Sequence, residues 1–231
     1  MAEPNYIDAF TRSFKLGVGT SALLVVDMQY ATGSPSHGLG RLLARQGRLA
    51  EAHYRFERIE KLVIPNTARL IDTFRSLSAP VIYVTYGAEL PDAADAPAHL
   101  RSLIVATDNI AGKREHEIVE ALRPQPGELV LNKTTMGAFA STGIDSHLRA
   151  MGIGELVVTG VSTNNCVGMT AMEACDRQYG VVLAADATGT CSDDMQEATL
   201  RSFRRLWGRV LSTDEVIEEI SGPSRRIADS A

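Results

Sequence analysis

Short, unbroken apolar runs alternate along this chain with longer stretches in which apolar positions recur every three or four residues. The runs fall at 22–26 (ALLVV), 81–86 (VIYVTY), 128–132 (ELVLN), 156–160 (LVVTG), 181–185 (VVLAA) and 209–212 (RVLS). Continuous apolar character over about five residues predicts strands buried on both faces. The intervening stretches predict helices. Pro65 is placed to start one, with Leu70, Phe74 and Leu77 on one face. Ile144, Leu148 and Met151 mark another, stopped at Gly152, and Val167, Ala171 and Ala174 a third, which Cys166 opens and Gly180 stops. Residues 193–206 and 214–220 predict two more, the first with two acids in its opening turn. Strand–helix alternation of this kind predicts an α/β fold, a mostly parallel sheet covered on both faces. No repeat or low-complexity segment interrupts it, so a single domain is expected over 1–231.

Three regions depart from the alternation. Residues 1–20 read as a loosely ordered lead-in and 221–231 as a polar tail. Residues 31–61 open with the loop-like TGSPSHGLG and continue as a charged stretch with a weak apolar stripe. They predict a partly helical surface excursion, either a cover over the site, a contact with another subunit or simply a solvated insertion. Residues 87–114, rich in Pro and Asp, read as a loop too long to be a mere connector.

Composition narrows the function. With 45% hydrophobic and 22% charged residues, the 231-residue chain has an ordinary globular balance. A net charge of −5 without a basic stripe argues against nucleic acid as a partner. No apolar run approaches the length of a membrane span, and the N-terminus lacks the apolar core of a signal peptide. Three irregularly spaced cysteines form neither a disulfide framework nor a zinc site, which fits a reducing cytoplasm.

The chemistry gathers at one rim. In an open parallel sheet the ligand crevice lies beyond the carboxyl ends of the strands. Asp27 ends the first strand, Lys133 ends the third, and Cys166 follows the fourth across the polar turn VSTNN. A thiol with an ordinary pKa of about 8.5 is mostly protonated at neutral pH. A neighbouring carboxylate can take its proton and later return it to a leaving amine, while an ammonium stabilises both anions. The same three residues also read as a rim ion pair with a small buried cysteine behind it. Tyr30, Met136, Phe139, Asn164 and Asn165 are candidates for lining a substrate pocket. Met136 and Phe139 read equally as core, and the asparagines as turn formers.

ALLVVDMQ, LNK followed by TTMGAF, and VVTGVSTNNCVGMTAMEAC with the following GVVLAADA resemble the isochorismatase-like cysteine hydrolase superfamily. That group includes nicotinamidases, N-carbamoylsarcosine amidohydrolases and ureidoacrylate amidohydrolases. The resemblance spans residues 20–212. It implies a three-layer α/β/α sandwich of Rossmann-like topology, assembled as a homodimer or homotetramer. It implies a catalytic triad of Asp27, Lys133 and Cys166. It also implies a non-proline cis peptide at Val161–Ser162, which aims the backbone N–H groups of Ser162 and Cys166 at an oxyanion. Nicotinamidases hold a metal through an Asp-x-His element after the second strand. Here that region reads YGAELPDAADAPAHL, in which Asp92 and His99 lack the spacing. No metal and no cofactor are therefore expected.

The expected activity is a cysteine-dependent amidohydrolase that cleaves a C–N bond of a small carboxamide, ureido or carbamoyl compound through a thioester. Two alternatives stand beside it. One is a vinyl ether hydrolase using Asp27 as general acid. The other is a catalytically silent ligand-binding module, although not a dinucleotide binder, since the turn after the fourth strand lacks G-x-G-x-x-G.

Overall fold

The apolar runs form a parallel sheet in a computed structural model that describes Phe10 and residues 13–222. The strands are β1 (Ser21–Val26), β2 (Val81–Tyr86), β3 (Leu129–Lys133), β4 (Glu155–Val161), β5 (Gly180–Gly189) and β6 (Arg209–Leu211). Their order is β3-β2-β1-β4-β5-β6, and every pairing is parallel. The chain reverses direction across the sheet between β1 and β4, which puts the switch point beside Asp27 and Cys166.

All residues of β1 and β2 are buried, so both faces must be covered. Alternate residues of β1 supply two cores. Leu23 and Val25 pack with Leu70, Ile71 and Phe74 of helix α4 (Ile64–Ser76) and with Val216 and Ile220 of helix α9 (Thr213–Ser221). Ala22, Leu24 and Val26 face the opposite layer. There they meet Ile144 and Leu148 of α6 (Ile144–Ala150), Ala171 and Ala174 of α7 (Gly168–Asp176) and Phe203 of α8 (Asp193–Arg204). The result is the three-layer α/β/α sandwich. Among the described residues, no helix is long and apolar enough to cross a membrane.

Several elements differ from the sequence expectation. The helix expected to start at Pro65 begins at His53. It runs as α3 (His53–Arg58) through a π-turn (Ile59–Val63) into α4. Proline has no N–H to donate, and the wider turn just before it accommodates that missing bond without ending the helix. The 31–61 segment is therefore mostly helical, with α1 (Tyr30–Gly33) and α2 (Gly38–Arg45) ahead of α3. It is fastened to the sheet: Arg58 donates to the carbonyls of Thr188 (3.0 Å) and Ala185 (2.9 Å). The long loop after β2 contains α5 (Ala98–Thr107), which ends at Asp108 with φ +58°. Gly180 opens β5 rather than stopping a helix, since α7 already ends at Asp176. β5 continues past Asp186, whose carboxylate accepts from the Thr213 N–H and hydroxyl, both at 2.8 Å, at the start of α9. Of the expected lead-in, residues 1–9, 11 and 12 lie outside the described residues, as does 223–231 of the tail. Leu16, at the end of the lead-in, is buried and its N–H donates to Glu219 at 2.9 Å.

Candidate active site

β1 delivers Asp27 to the rim in the left-handed region, φ +54°, with its N–H donated to the Val84 carbonyl at 2.8 Å. Few residues other than glycine adopt this conformation, and aspartate is among those that tolerate it. Lys133 is the last residue of β3. Cys166 stands within a π-turn (Thr163–Val167) that precedes α7, so it lies ahead of the helix start rather than in its first turn. The turn is kinked at Asn165, φ −118° and ψ −106°. Thr163 bonds Gln196 at 2.6 Å, and Ser162 O accepts from the N–H groups of Asn165 (2.9 Å) and Val167 (3.2 Å). The Val161–Ser162 peptide is cis.

The three side chains converge in the interior. Lys133 Nζ donates to Asp27 Oδ2 at 3.0 Å and to the Thr135 carbonyl at 3.3 Å, and it lies 4.6 Å from the centre of the Tyr86 ring. The Cys166 thiol is within reach of both Asp27 and Lys133 and interacts electrostatically with each. In this arrangement it donates to Met136 Sδ at 3.3 Å, and Asp27 Oδ1 is a buried acceptor to which nothing donates among the described residues.

Burial and pairing set the proton affinities. Burial pushes the Asp27 carboxyl up, against the pull of Lys133. Burial pushes the Cys166 thiol up from 9.0 to about 12, and the Asp27 charge reinforces it more than Lys133 relieves it. For Lys133, burial acts to lower the value, but Asp27 and Cys166 together outweigh it, and the ammonium is held above 10.5. The resting site therefore contains a neutral thiol, a charged lysine and a carboxyl more basic than an ordinary aspartate.

Two local features hold the rim together. Gln29 is fully buried. Its amide donates to the carbonyls of Tyr86 (3.1 Å) and His116 (2.8 Å) and to Asn109 (3.2 Å), while its oxygen accepts from the Tyr86 N–H (2.8 Å). That one side chain ties the end of β1 to β2 and to the loop beyond it. Gly160, φ +109°, brings β4 against β1 so closely that a Cβ there would lie 1.9 Å from the Val26 carbonyl oxygen.

A cavity of about 330 Å³ opens onto the sulfur, a volume suited to a small molecule. Asp27, Cys166, Met136, Asn164 and Asn165 line it. Tyr30 and Phe139 do not. Tyr30 is turned away, its ring 4.9 Å from that of His37 and 4.0 Å beneath the Arg114 guanidinium. Phe139 is buried among core residues with its ring 5.9 Å from that of Tyr179. Lys133 lies behind the wall, wholly withdrawn from solvent. Asp92 accepts the Ala94 N–H within its own loop at 3.1 Å.

Other lining residues were not singled out from the sequence. Arg55 comes from α3, inside the excursion, and is 8% exposed. It donates to Ser162 Oγ at 2.7 Å and to the Thr32 carbonyl at 2.9 Å, and its Nε is buried without an acceptor among the described residues. Burial lowers its proton affinity, opposed by Cys166, Cys191 and Asp27. The apolar spacing of Phe56, Ile59 and Val63, all buried, was the signal that this stretch packs inward. Tyr86 ends β2 at the same rim. Its hydroxyl is buried with no partner among the described residues, and burial holds it well above the usual phenol range. Leu100 and Leu103 of α5 and Cys191 complete the rest of the wall with their neighbours.

The Isochorismatase domain family model matches residues 21–215. The ureidoacrylate amidohydrolase RutB of Variovorax paradoxus is 28% identical over 236 aligned positions, covering 94% of this chain and 88% of that protein. The crystal structure of N-carbamoylsarcosine amidase from Thermoplasma acidophilum superposes with a TM-score of 0.64 at 28% identity, covering 88% of this chain and 99% of the other. A cysteine hydrolase from Pseudomonas syringae pv. phaseolicola 1448A shares the fold, with a TM-score of 0.75 at 22% identity over 96% and 99% of the two chains.

Proposed function

This chain belongs to the isochorismatase family, and from that premise we propose that it is a cysteine-dependent amidohydrolase, cleaving a C–N bond of a small carboxamide, ureido or carbamoyl compound. The observation that carries the reading is the Asp27 carboxyl, paired with Lys133 on one oxygen and open on the other, beside a neutral thiol at a small cavity. The two relatives named for amide substrates, ureidoacrylate amidohydrolase and N-carbamoylsarcosine amidase, support it.

Asp27 takes the thiol proton as the sulfur attacks the substrate carbonyl carbon. Its raised proton affinity makes it a better base than an ordinary aspartate. Lys133 stabilises the developing thiolate through charge. The backbone N–H groups of Ser162 and Cys166 meet the oxyanion of the tetrahedral intermediate. The proton on Asp27 passes to the nitrogen, the C–N bond breaks, and the amine or ammonia leaves a thioester on Cys166. Water then attacks the thioester carbonyl and gives a proton to Asp27. The C–S bond breaks, the acid departs, and that proton returns to the sulfur. Assembly as a homodimer or homotetramer goes with the family reading and is checked by light scattering.

The test is ammonia release from a panel of simple amides and ureides. Cys166→Ala and Asp27→Asn are each expected to lose at least a hundredfold in turnover (about 10² to 10⁴ for a general acid–base group) while remaining folded. A fully active alanine variant would remove Cys166 from the mechanism. The burial that raises Asp27 also favours a second reading, general acid cleavage of a vinyl ether. That reaction has no covalent step and survives Cys166→Ala. Absence of turnover on every amide, ureide and vinyl ether would leave the ligand-binding module.

A further inference from the structure

The charges around the cavity do not cancel. Asp27 is matched by Lys133 at 3.0 Å, and Glu51, at the wall, is matched by Arg48 at 2.7 Å. Arg55 is the exception. It is more than nine-tenths buried and has no carboxylate within ion-pair distance among the described residues. Among the described residues its two hydrogen bonds go to neutral oxygens, Ser162 Oγ and the Thr32 carbonyl, and its Nε–H has no acceptor. A guanidinium is strongly disfavoured away from water unless an anion accompanies it. Its planar fork is suited to a carboxylate bound through two N–H groups. Much of the remaining wall is apolar, with Ala31, Leu39, Leu100 and Leu103 among it, and supplies no competing anion.

We propose that Arg55 is the carboxylate anchor of this cavity, so that the substrate is a small amide or ureide bearing a carboxylate at the end remote from the bond that is cut. The inference rests on the amidohydrolase reading for the bond and on Arg55 alone for the acid. The missing counter-ion is then the substrate's own. Its arrival completes the charge balance of the cavity, and the link from Arg55 to Ser162 joins recognition of the acid to the turn that carries Cys166.

The experiment measures binding separately from turnover. Cys166→Ala protein is titrated calorimetrically with succinamate, N-carbamoylglycine and N-carbamoyl-β-alanine, each beside its methyl ester. At least one acid is expected to bind about thirtyfold or more tightly than its ester, the loss that follows when one member of a buried charge pair is left alone. Adding Arg55→Met should abolish that preference, and Arg55→Lys should retain part of it. Absence of an acid preference in every pair overturns the proposal without reference to any Arg55 variant. So does an Arg55→Met protein that keeps the preference. In otherwise unaltered enzyme, an Arg55→Met change that lowers kcat equally for acid and ester would assign Arg55 to holding Ser162 alone and would also overturn it. Arg55-dependent binding of the acids with no ammonia released from any of them by the unaltered enzyme would uphold the anchor and sink the amidohydrolase reading instead.

Discussion

Lys133 Nζ stands 3.0 Å from Asp27 Oδ2, and neither side chain is reached by solvent. A buried ion pair of this kind adds little net stability, but breaking it is costly because the survivor is left charged and unmatched. Lys133→Met should therefore lower stability by about 3–5 kcal/mol. The double variant Asp27→Asn with Lys133→Met should recover much of that loss. Urea unfolding of the three proteins checks this, and equal losses in the single and double variants would contradict it.

The thiol should leave a mark on alkaline stability. In the unfolded chain Cys166 ionises near 9.0, and in the folded protein only near about 12, because burial and Asp27 disfavour the thiolate. The folded state therefore binds more protons between these values. Its advantage is complete below 9.0 and is lost as pH climbs toward about 12. Lys133 acts in the same direction, but only from 10.5 upward. Between 9.0 and 10.5 the stability of the parent protein should fall relative to that of Cys166→Ala, by at most about 1.4 kcal/mol per pH unit. Parallel pH profiles for the two proteins in that interval would contradict the assignment.

Tyr86 offers a separation of folding from binding. Its hydroxyl is buried at the cavity without a hydrogen-bond partner among the described residues. Removing an unmatched polar group does not weaken a fold. Tyr86→Phe should have an unchanged or slightly raised melting temperature. Its KM should rise by about tenfold, the worth of one hydrogen bond to the substrate. A lower melting temperature with an unchanged KM would show that the hydroxyl serves the fold.

Gly160 has no room for a side chain. An added Cβ meets the Val26 carbonyl at 1.9 Å, and φ is +109°. Gly160→Ala should destabilise the protein by well over 1 kcal/mol, the amount at stake for a glycine in an ordinary conformation. It should also depress activity by prising β4 from β1. Thermal melts and turnover, measured together, check both effects.

Much of this architecture was legible in the sequence because parallel strands are buried on both sides and stand out as apolar runs. β2 falls at 81–86 as expected, β1 begins one residue earlier than expected, and β3 is shifted by one residue at both ends. Shared strand direction then placed Asp27, Lys133 and Cys166 at one rim. Arg55 was not legible because Pro65 reads locally as a helix start, and nothing in the charged run around it records that a π-turn carries the helix through. Cys166 was read as opening a helix because the run after it is helical, whereas the kink at Asn165 depends on its tertiary setting. Tyr30 and Phe139 show that closeness in sequence to reacting residues is not closeness in space. One lies beneath Arg114, and the other stacks against the core.

Asp27, Lys133 and Cys166 hang from the ends of sheet strands, whereas Arg55 and the two leucines of α5 arrive on stretches of chain inserted between β1, β2 and β3. Floor and roof thus come from separate stretches of chain. Exchanging the roof, with the joints at Gln29 and Arg58 kept, would retune which molecule is accepted while leaving Asp27, Lys133 and Cys166 where they are.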